Sequence, residues 1–546
     1  MIHFSMQHKT TQSATGYFRP SPLPEPSFEN LFFLCQARPE DPFLRSFLLE
    51  KILHMDPQHR SQMPFSKSPF FLHALREAQE ATGIPTEPDQ TSGHSPLAYL
   101  RIPQDPSRQA WIRVLHDNIF RLKIPHTQKP FPLPLPKLSG PALPSAPVPI
   151  DKIPLHAPPC PPVPGPMDVF YAAMERLKPH RHLLASEKRH TASLSPIAIL
   201  REWELDRSVD IPGYEHRLTG LQTSYGRGLS LDSARVACLM EAAERITAFA
   251  GVAEGRIALR LNPTPIRRAL FSELQQENLP ALDPNTLLLE APMPDLPLWW
   301  MPGERITHTG RHSCLVPVQC VVLFSNLPEA QLFTALGSTG FAAGASEEGA
   351  RLSGLLEVIE RDAEATMPHT PSNCFRIQSE DPEVQNLFQA YENHGIHPFF
   401  EDITTEFGIP SYRCLVLGKD GAVIRGTGTH LSGKKALLSA LTETPWPFPG
   451  PPSGRPDFPL ACRHLETFAD FSTNNPAADL KRVEDCLVAN GYNPIHVPLT
   501  REDLRIPVVR SLVPGLEILG DFDRFSAVNR RLFTRYQQIF NMDKNG

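Results

Sequence analysis

The sequence predicts an α/β (α+β) domain of two related halves, with mixed sheets and a pair of acidic helices, behind an α-helical N-terminal region. Three observations predict it. A thirteen-residue stretch occurs twice, as Ser233–Arg245 (SARVACLMEAAER) and Gly349–Arg361 (GARLSGLLEVIER). Strand-like and helix-like apolar patterns alternate through the C-terminal part of the chain. The segment before residue 124 carries helical spacing, broken by proline turns.

In chain order, residues 1–123 read as helices over Phe28–Cys35, Phe43–His54, Phe70–Thr82 and Arg108–Leu122. Prolines are then so dense over residues 124–166 that neither a helix nor a central strand can form. That stretch is expected to be an extended, semi-rigid linker, with a proline-rich ligand for an aromatic groove as the alternative. A linker of this kind makes the N-terminal region separable from the rest. Residues 167–546 are expected to form the main domain. Its strand-like runs are Arg256–Leu261, Leu298–Met301, Cys314–Phe324, His397–Asp402, Tyr412–Leu417, Pro494–Pro498 and Pro507–Ser511. Its helix-like runs are Leu231–Ala250, Ser346–Thr366, Glu383–His394, Lys434–Thr442, Ala477–Asn490 and Arg524–Gln538.

The repeat carries the chemistry. Its copies share Ala234/Ala350, Arg235/Arg351, Leu239/Leu355, Glu241/Glu357, Glu244/Glu360 and Arg245/Arg361. A glycine stands thirteen residues before the first Glu of each, Gly228 and Gly344. Each copy therefore reads as a Gly-rich turn, an apolar helix, and Glu-x-x-Glu-Arg on that helix. The two Glu residues stand at i, i+3, so both carboxylates leave one face. One such motif is commonly a solvated face with Glu paired to Arg at i+4. Here the neighbours Val236, Leu239, Met240 and Ala243, and Leu352, Leu355, Leu356 and Ile359, are apolar. That puts the acids on helices expected to be largely buried, where unpaired charge is costly. Packed face to face, the helices would gather four carboxylates, which a magnesium site compensates.

Composition excludes other classes. Apolar residues are 41% and charged residues 21%, ordinary for a globular protein, whereas the 60 prolines are about twice the usual share. A net charge of −6 argues against nucleic-acid binding through bulk charge. MIHFSMQHKTTQS lacks the apolar core of a signal peptide, and no apolar run is long enough to span a membrane, so a cytoplasmic location is expected. The nine cysteines form no C-x-x-C pair, which argues against a disulfide framework and structural zinc.

At the two acidic segments the sequence resembles the YcaO family, over roughly Met167 to the C-terminus. The resemblance rests on the paired acidic helices, the glycine turns before them, GFAAGASEEGARLSGLLEVIERDAEA, and IPVVRSLVPGLE (Ile506–Glu517). It implies ATP with magnesium bound between the halves, and a peptide or protein substrate whose backbone amide oxygen is phosphorylated after a nucleophile adds to the amide carbon. Loss of phosphate then gives an azoline, an amidine or a thioamide. Glu241, Glu244, Glu357 and Glu360 would be metal or nucleotide ligands. Arg245 and Arg361 would orient acids or phosphates, Arg227 would contact phosphate, and Glu443 would belong to a third motif. The resemblance names no catalytic residue. It also implies a separate peptide-binding or sulfur-delivery partner, with a homodimer left open.

The chain departs from the family at several places. Gly226-Arg227-Gly228 stands for a usual Gly-Lys-Gly, and Ala237 for a serine. Ala342, Ala345 and Gly349 stand for a serine, an asparagine and a glutamate, and Ser353 for a glutamine. Glu348 adjoins Gly349, but one helical position turns a side chain by about 100°. Glu443 runs into Thr444-Pro445-Trp446-Pro447, with no arginine to follow. Two functions therefore stay open. One is ATP-dependent activation of peptide amides giving azoline or thioamide. The other is a catalytically impaired relative that binds a peptide or partner as a scaffold.

Overall fold

The structure, a computed structural model, describes residues 1–10, 16–82, 95–125, 133–155, 164–178, 184–323, 327–334, 337–518 and 522–540. The chain opens with an antiparallel hairpin, β1 (Ile2–Thr10) and β2 (Gly16–Pro22). Five helices follow: α1 (Phe28–Ala37), α2 (Pro42–His54), α3 (Pro57–Gln62), α4 (Pro69–Ala81) and α5 (Pro106–Arg121). Four of them are the expected helices. α2 to α5 each begin with proline behind an Asp or Ser whose side chain accepts the first free N–H groups.

The hairpin lies outside the helical expectation for this region, although Ile2, Phe4 and Met6 alternate with polar residues as a half-buried strand requires. β1 pairs in parallel with a long strand of the main domain, Tyr214–Gly228, through Ile2↔His216 to Ser5↔Thr219. Phe4, Leu31, Leu48 and Phe71 share one apolar core with Trp203, Leu205, Leu218 and Leu239. The proline-rich stretch, where described, also packs: Ile150 is fully buried in the largest core, and Ile150 N–H donates to the Phe407 carbonyl at 2.7 Å. Residues 126–132 and 156–163 of that stretch lie outside the described residues.

The main domain begins with α6 (Pro166–Leu177) and a long hairpin, β3 (Ile197–Ile211) and β4 (Tyr214–Gly228), paired from Ile197↔Gly228 to Ile211↔Tyr214. Gly213, at φ 77°, makes its turn. The first acidic helix, α7 (Leu231–Ala248), packs back on this hairpin. β5 (Leu298–Thr307) and β6 (Gly310–Pro317) follow as a second hairpin. The strand expected over Cys314–Phe324 stops at Pro317, which has no N–H for the ladder, and the chain turns into α8 (Val318–Val321). Phe324 lies outside the described residues. The run expected over Arg256–Leu261 is a strand only at Arg256–Ile257, because Leu259 adopts φ 60° and turns the chain.

β7 (Phe341–Ala343) leads into the second acidic helix, α9 (Glu347–Thr366). Then come β8 (Cys374–Gln378), α10 (Pro382–Asn393), β9 (Phe399–Asp402), β10 (Ser411–Leu417), β11 (Val423–Thr429) and α11 (Gly433–Glu443). β12 (Ala461–His464), α12 (Pro476–Ala489), β13 (Ile495–Pro498), β14 (Val508–Leu512) and α13 (Arg530–Phe540) complete the order.

Three larger sheets result. The first runs β2-β1-β4-β3, extended by short strands; the second contains β5, β13, β14 and β7; the third runs β11-β10-β9-β8-β12. Parallel pairing of β1 with β4 and of β8 with β12 makes the first and third mixed, as expected. Among the described residues no helix is long and apolar enough to cross a membrane.

Candidate acidic site between two repeated helices

Both acidic helices are laid down by the same device. Ser230 caps α7 by accepting from Ser233 N–H, and Ser346 caps α9 by accepting from Gly349 N–H at 3.1 Å. Each helix then lies against a strand too closely for a side chain between them. A Cβ at Gly226 would stand 1.9 Å from the Ala234 carbonyl oxygen, and one at Gly354 would stand 2.8 Å from both the Gly340 carbonyl and Ser511 Oγ. Apolar Leu239, Ala243, Leu355 and Ile359 are fully buried beneath the helices. That close seating aims the Glu residues at neighbouring backbone.

The first Glu of each copy is anchored alike. Tyr225 N–H donates to Glu241 Oε2 at 2.8 Å, and Gly340 N–H donates to Glu357 Oε2 at 3.1 Å. The second Glu residues differ. Glu244 Oε1 lies 2.8 Å from Arg245 Nη1, which nevertheless has no hydrogen-bond partner, so the pair is close but misaligned. Glu360 accepts from Thr427 Oγ1 and Thr429 N–H, both at 2.9 Å.

The charges interact across the two copies. Burial pushes the Glu244 carboxyl up to about 8; Arg245 opposes this, while Glu357 and Glu241 add to it. Burial likewise raises Glu241 against Arg245, and Glu443 adds to the rise. Glu357 is raised by burial against Arg361, Arg245 and Arg510. Glu360 reaches about 7, again from burial first, with Glu357 adding. The acids are not sealed: the Glu241 side chain is 27% exposed and Glu244 14%. The structure thus gathers carboxyls whose ionisation is costly in a confined place that water still reaches.

All the sequence-named residues fall in this neighbourhood. Arg227 pairs with Glu443, and both act electrostatically on Glu241. Arg361 Nη2 lies 3.0 Å from Glu360. The four acids do not form a tight all-protein cage, however. Among the described residues the group of three or more ligand atoms within 4.8 Å of one another is His369, Cys374 and Glu401, which begins three residues beyond the end of α9 and includes none of the four acids. Ala237, Ala345, Glu348 and Ser353 are exposed, and Ala342 is buried.

Other residues of the site went unread in the sequence. Glu364, held down to about 2 because Arg361, Arg425 and Arg413 outweigh its burial, accepts from Arg361 at 2.7 Å and Arg425 at 3.0 Å. Arg510 is fully buried beneath Glu357 and Glu244, with burial pulling its guanidinium down to about 10. Glu364 could have been found, since it stands one helical turn beyond Glu360. Arg510 and Thr427 come from strands distant in sequence, and no local spacing points to them.

The chain is similar to known proteins over the segments that carry these helices. Residues 225–446 and 444–517 match the family model described as YcaO cyclodehydratase, ATP- and Mg2+-binding. An uncharacterized protein of Methanothermobacter thermautotrophicus is 27% identical over 333 residues, 54% of this chain and 82% of that one. An uncharacterized protein in the tfuA 3′ region of Rhizobium leguminosarum bv. trifolii is 25% identical over 339 residues, 55% of this chain and 77% of that one. A heterocyclase solved in complex with substrate and cofactor superposes with a TM-score of 0.50 at 18% identity, over 67% of this chain and 55% of its own. The structure of YcaO from Methanopyrus kandleri bound with AMPPCP and Mg2+ is also similar, with a TM-score of 0.46 at 18% identity, over 64% of this chain and 91% of its own.

Proposed function

Because the chain belongs to the YcaO family, we propose that it binds Mg-ATP between its two acidic helices and activates peptide backbone amides, giving azoline or thioamide products. The observation that carries this reading is the convergence of the two acidic helices, where Arg245 and the fully buried Arg510 each act on both Glu244 and Glu357. Four spread carboxylates fit magnesium, which keeps waters and phosphate oxygens in its shell and is seldom caged by protein alone. Glu241, Glu244, Glu357 and Glu360 would hold the metal. The misaligned Arg245 Nη1 has a donor left for a phosphate oxygen, and Arg227 and Arg361 would complete the clamp.

When bound, Mg-ATP would supply the phosphoryl group that turns the amide oxygen into a leaving group. The residues present do the rest by position and charge. Arg361, fixed by Glu360, Glu364 and Thr427, presents a rigid guanidinium. Glu241 and Glu357, tied to backbone N–H groups, keep their orientation while charge moves. The substrate is a peptide or protein amide; the nucleophile is an adjacent side chain for an azoline or a delivered sulfide for a thioamide.

A second reading, a scaffold that binds a peptide without chemistry, draws on one observation. Arg227–Glu443 and Arg245–Glu244 already neutralise part of the site from within. Calorimetry with Mg-ATP, followed by mass spectrometry of exposed peptides for loss of water or exchange of oxygen for sulfur, separates the two. Absence of Mg-ATP binding at millimolar nucleotide would overturn the enzyme reading and leave the scaffold.

A further inference from the structure

A cavity of about 790 Å3 opens between the N-terminal region and the main domain, lined by none of the residues of the acidic site. Its volume is that of a small-ligand site. Phe18, Phe43, Phe47, Tyr99, Phe333 and Phe525 contribute aromatic walls. Against them stands Glu329, which is 5% exposed and also lines the cavity. Glu329 Oε2 accepts from Trp299 N–H at 2.7 Å, and Gln319 is its side-chain partner. No described cation forms an ion pair with it. Arg268, the cation that acts on it electrostatically, is paired to Glu40 at 2.6 Å. Behind the cavity wall Thr334 donates to Oε1 of a second acid, Glu290; its Oε2 is buried with no hydrogen-bond partner.

A carboxyl group without a cation, facing aromatic rings, is complementary to an organic ammonium ion on an apolar chain. The carboxylate takes the charge, and ring faces take the cation and its methylenes. We propose that this cavity is a second binding site, for an organic ammonium group carried by a free amine or by a lysyl side chain. The other charged groups of the cavity are already engaged. Arg19 pairs with Glu50, and the Arg524 guanidinium lies 4.6 Å from the Phe525 ring centroid. The Tyr99 hydroxyl is kept neutral by burial. Glu329 is thus the lining acid without a cationic partner. Burial raises its carboxyl to about 8, which an ammonium ion would reverse by favouring the ionised form. Binding then releases a proton and tightens as pH rises from 6.5 towards 8.

The test is calorimetry of the full chain with 4-phenylbutylamine and with uncharged 4-phenylbutan-1-ol, repeated on Glu329→Gln. The expected result is at least tenfold tighter binding of the amine at pH 8. That preference should shrink at pH 6.5, vanish in E329Q, and persist in Glu244→Gln. Equal binding of amine and alcohol, no binding of either, or an amine preference unchanged in E329Q would each overturn the proposal. Acetyl-Phe-Lys-Leu-amide and its norleucine counterpart distinguish the source. A lysine-dependent preference lost in E329Q assigns the site to a peptide side chain, and its absence beside a positive amine result assigns it to a free amine. Retention of the wild-type melting temperature by E329Q excludes unfolding as the cause.

Discussion

Replacing Glu244 by Gln tests whether the acidic site holds uncompensated charge. Its carboxyl rises from 4.5 to about 8 on folding, and at about 1.4 kcal/mol per unit this bounds the cost of ionising it in the fold at roughly 5 kcal/mol. Glu357 shares the repulsion and the lost contact with Arg245 subtracts from the gain, leaving about 1–3 kcal/mol. A carboxyl whose pKa is higher folded than unfolded contributes stability that is whole below 4.5 and lost as pH climbs through about 8. E244Q should therefore match the wild type at pH 4.5 and melt several degrees higher at pH 8.5, by scanning calorimetry in chelator. Adding magnesium and ATP should stabilise the wild type and barely move the variant. A variant that melts below the wild type at pH 8.5 would refute the reasoning, because it would show Arg245 already satisfying Glu244.

Three other outcomes follow from the same geometry. Glu364→Gln leaves Arg361 and Arg425 without their shared acid and should cost about 3–5 kcal/mol, read as a fall in melting temperature together with weaker Mg-ATP binding. Gly349→Glu should be tolerated, since a Cβ there meets only Ser346 Oγ at 3.5 Å; calorimetry should show Mg-ATP affinity improved by about tenfold, one charge-assisted contact. A fragment lacking residues 1–123 would bare the core that Phe4, Leu31, Leu48 and Phe71 share with Trp203 and Leu218; it should melt far below the full chain or aggregate.

The sequence alone determined the repeated helices, their acids and most helix boundaries. The helix expected over Ser346–Thr366 is α9, with Ser346 as its cap, and the one over Glu383–His394 is α10 within one residue at each end. These features are local, since 3.6-residue spacing, caps and prolines write them into neighbouring positions. The strand of Phe4 and the β3–β4 hairpin were also written locally, in period-two alternation and the Pro212-Gly213 turn, but charged residues such as Glu202 and Asp206 masked the pattern. Tertiary structure decided what depends on partners far away in the chain. It placed β1 beside β4, drew Ile150 from the proline-rich stretch into the core, and set Arg510 beneath Glu357 and Glu244. It also set the acids' pKa values. A carboxyl's charge state depends on the water removed from it and on charges brought beside it, and both are fixed only when distant strands and helices close around it.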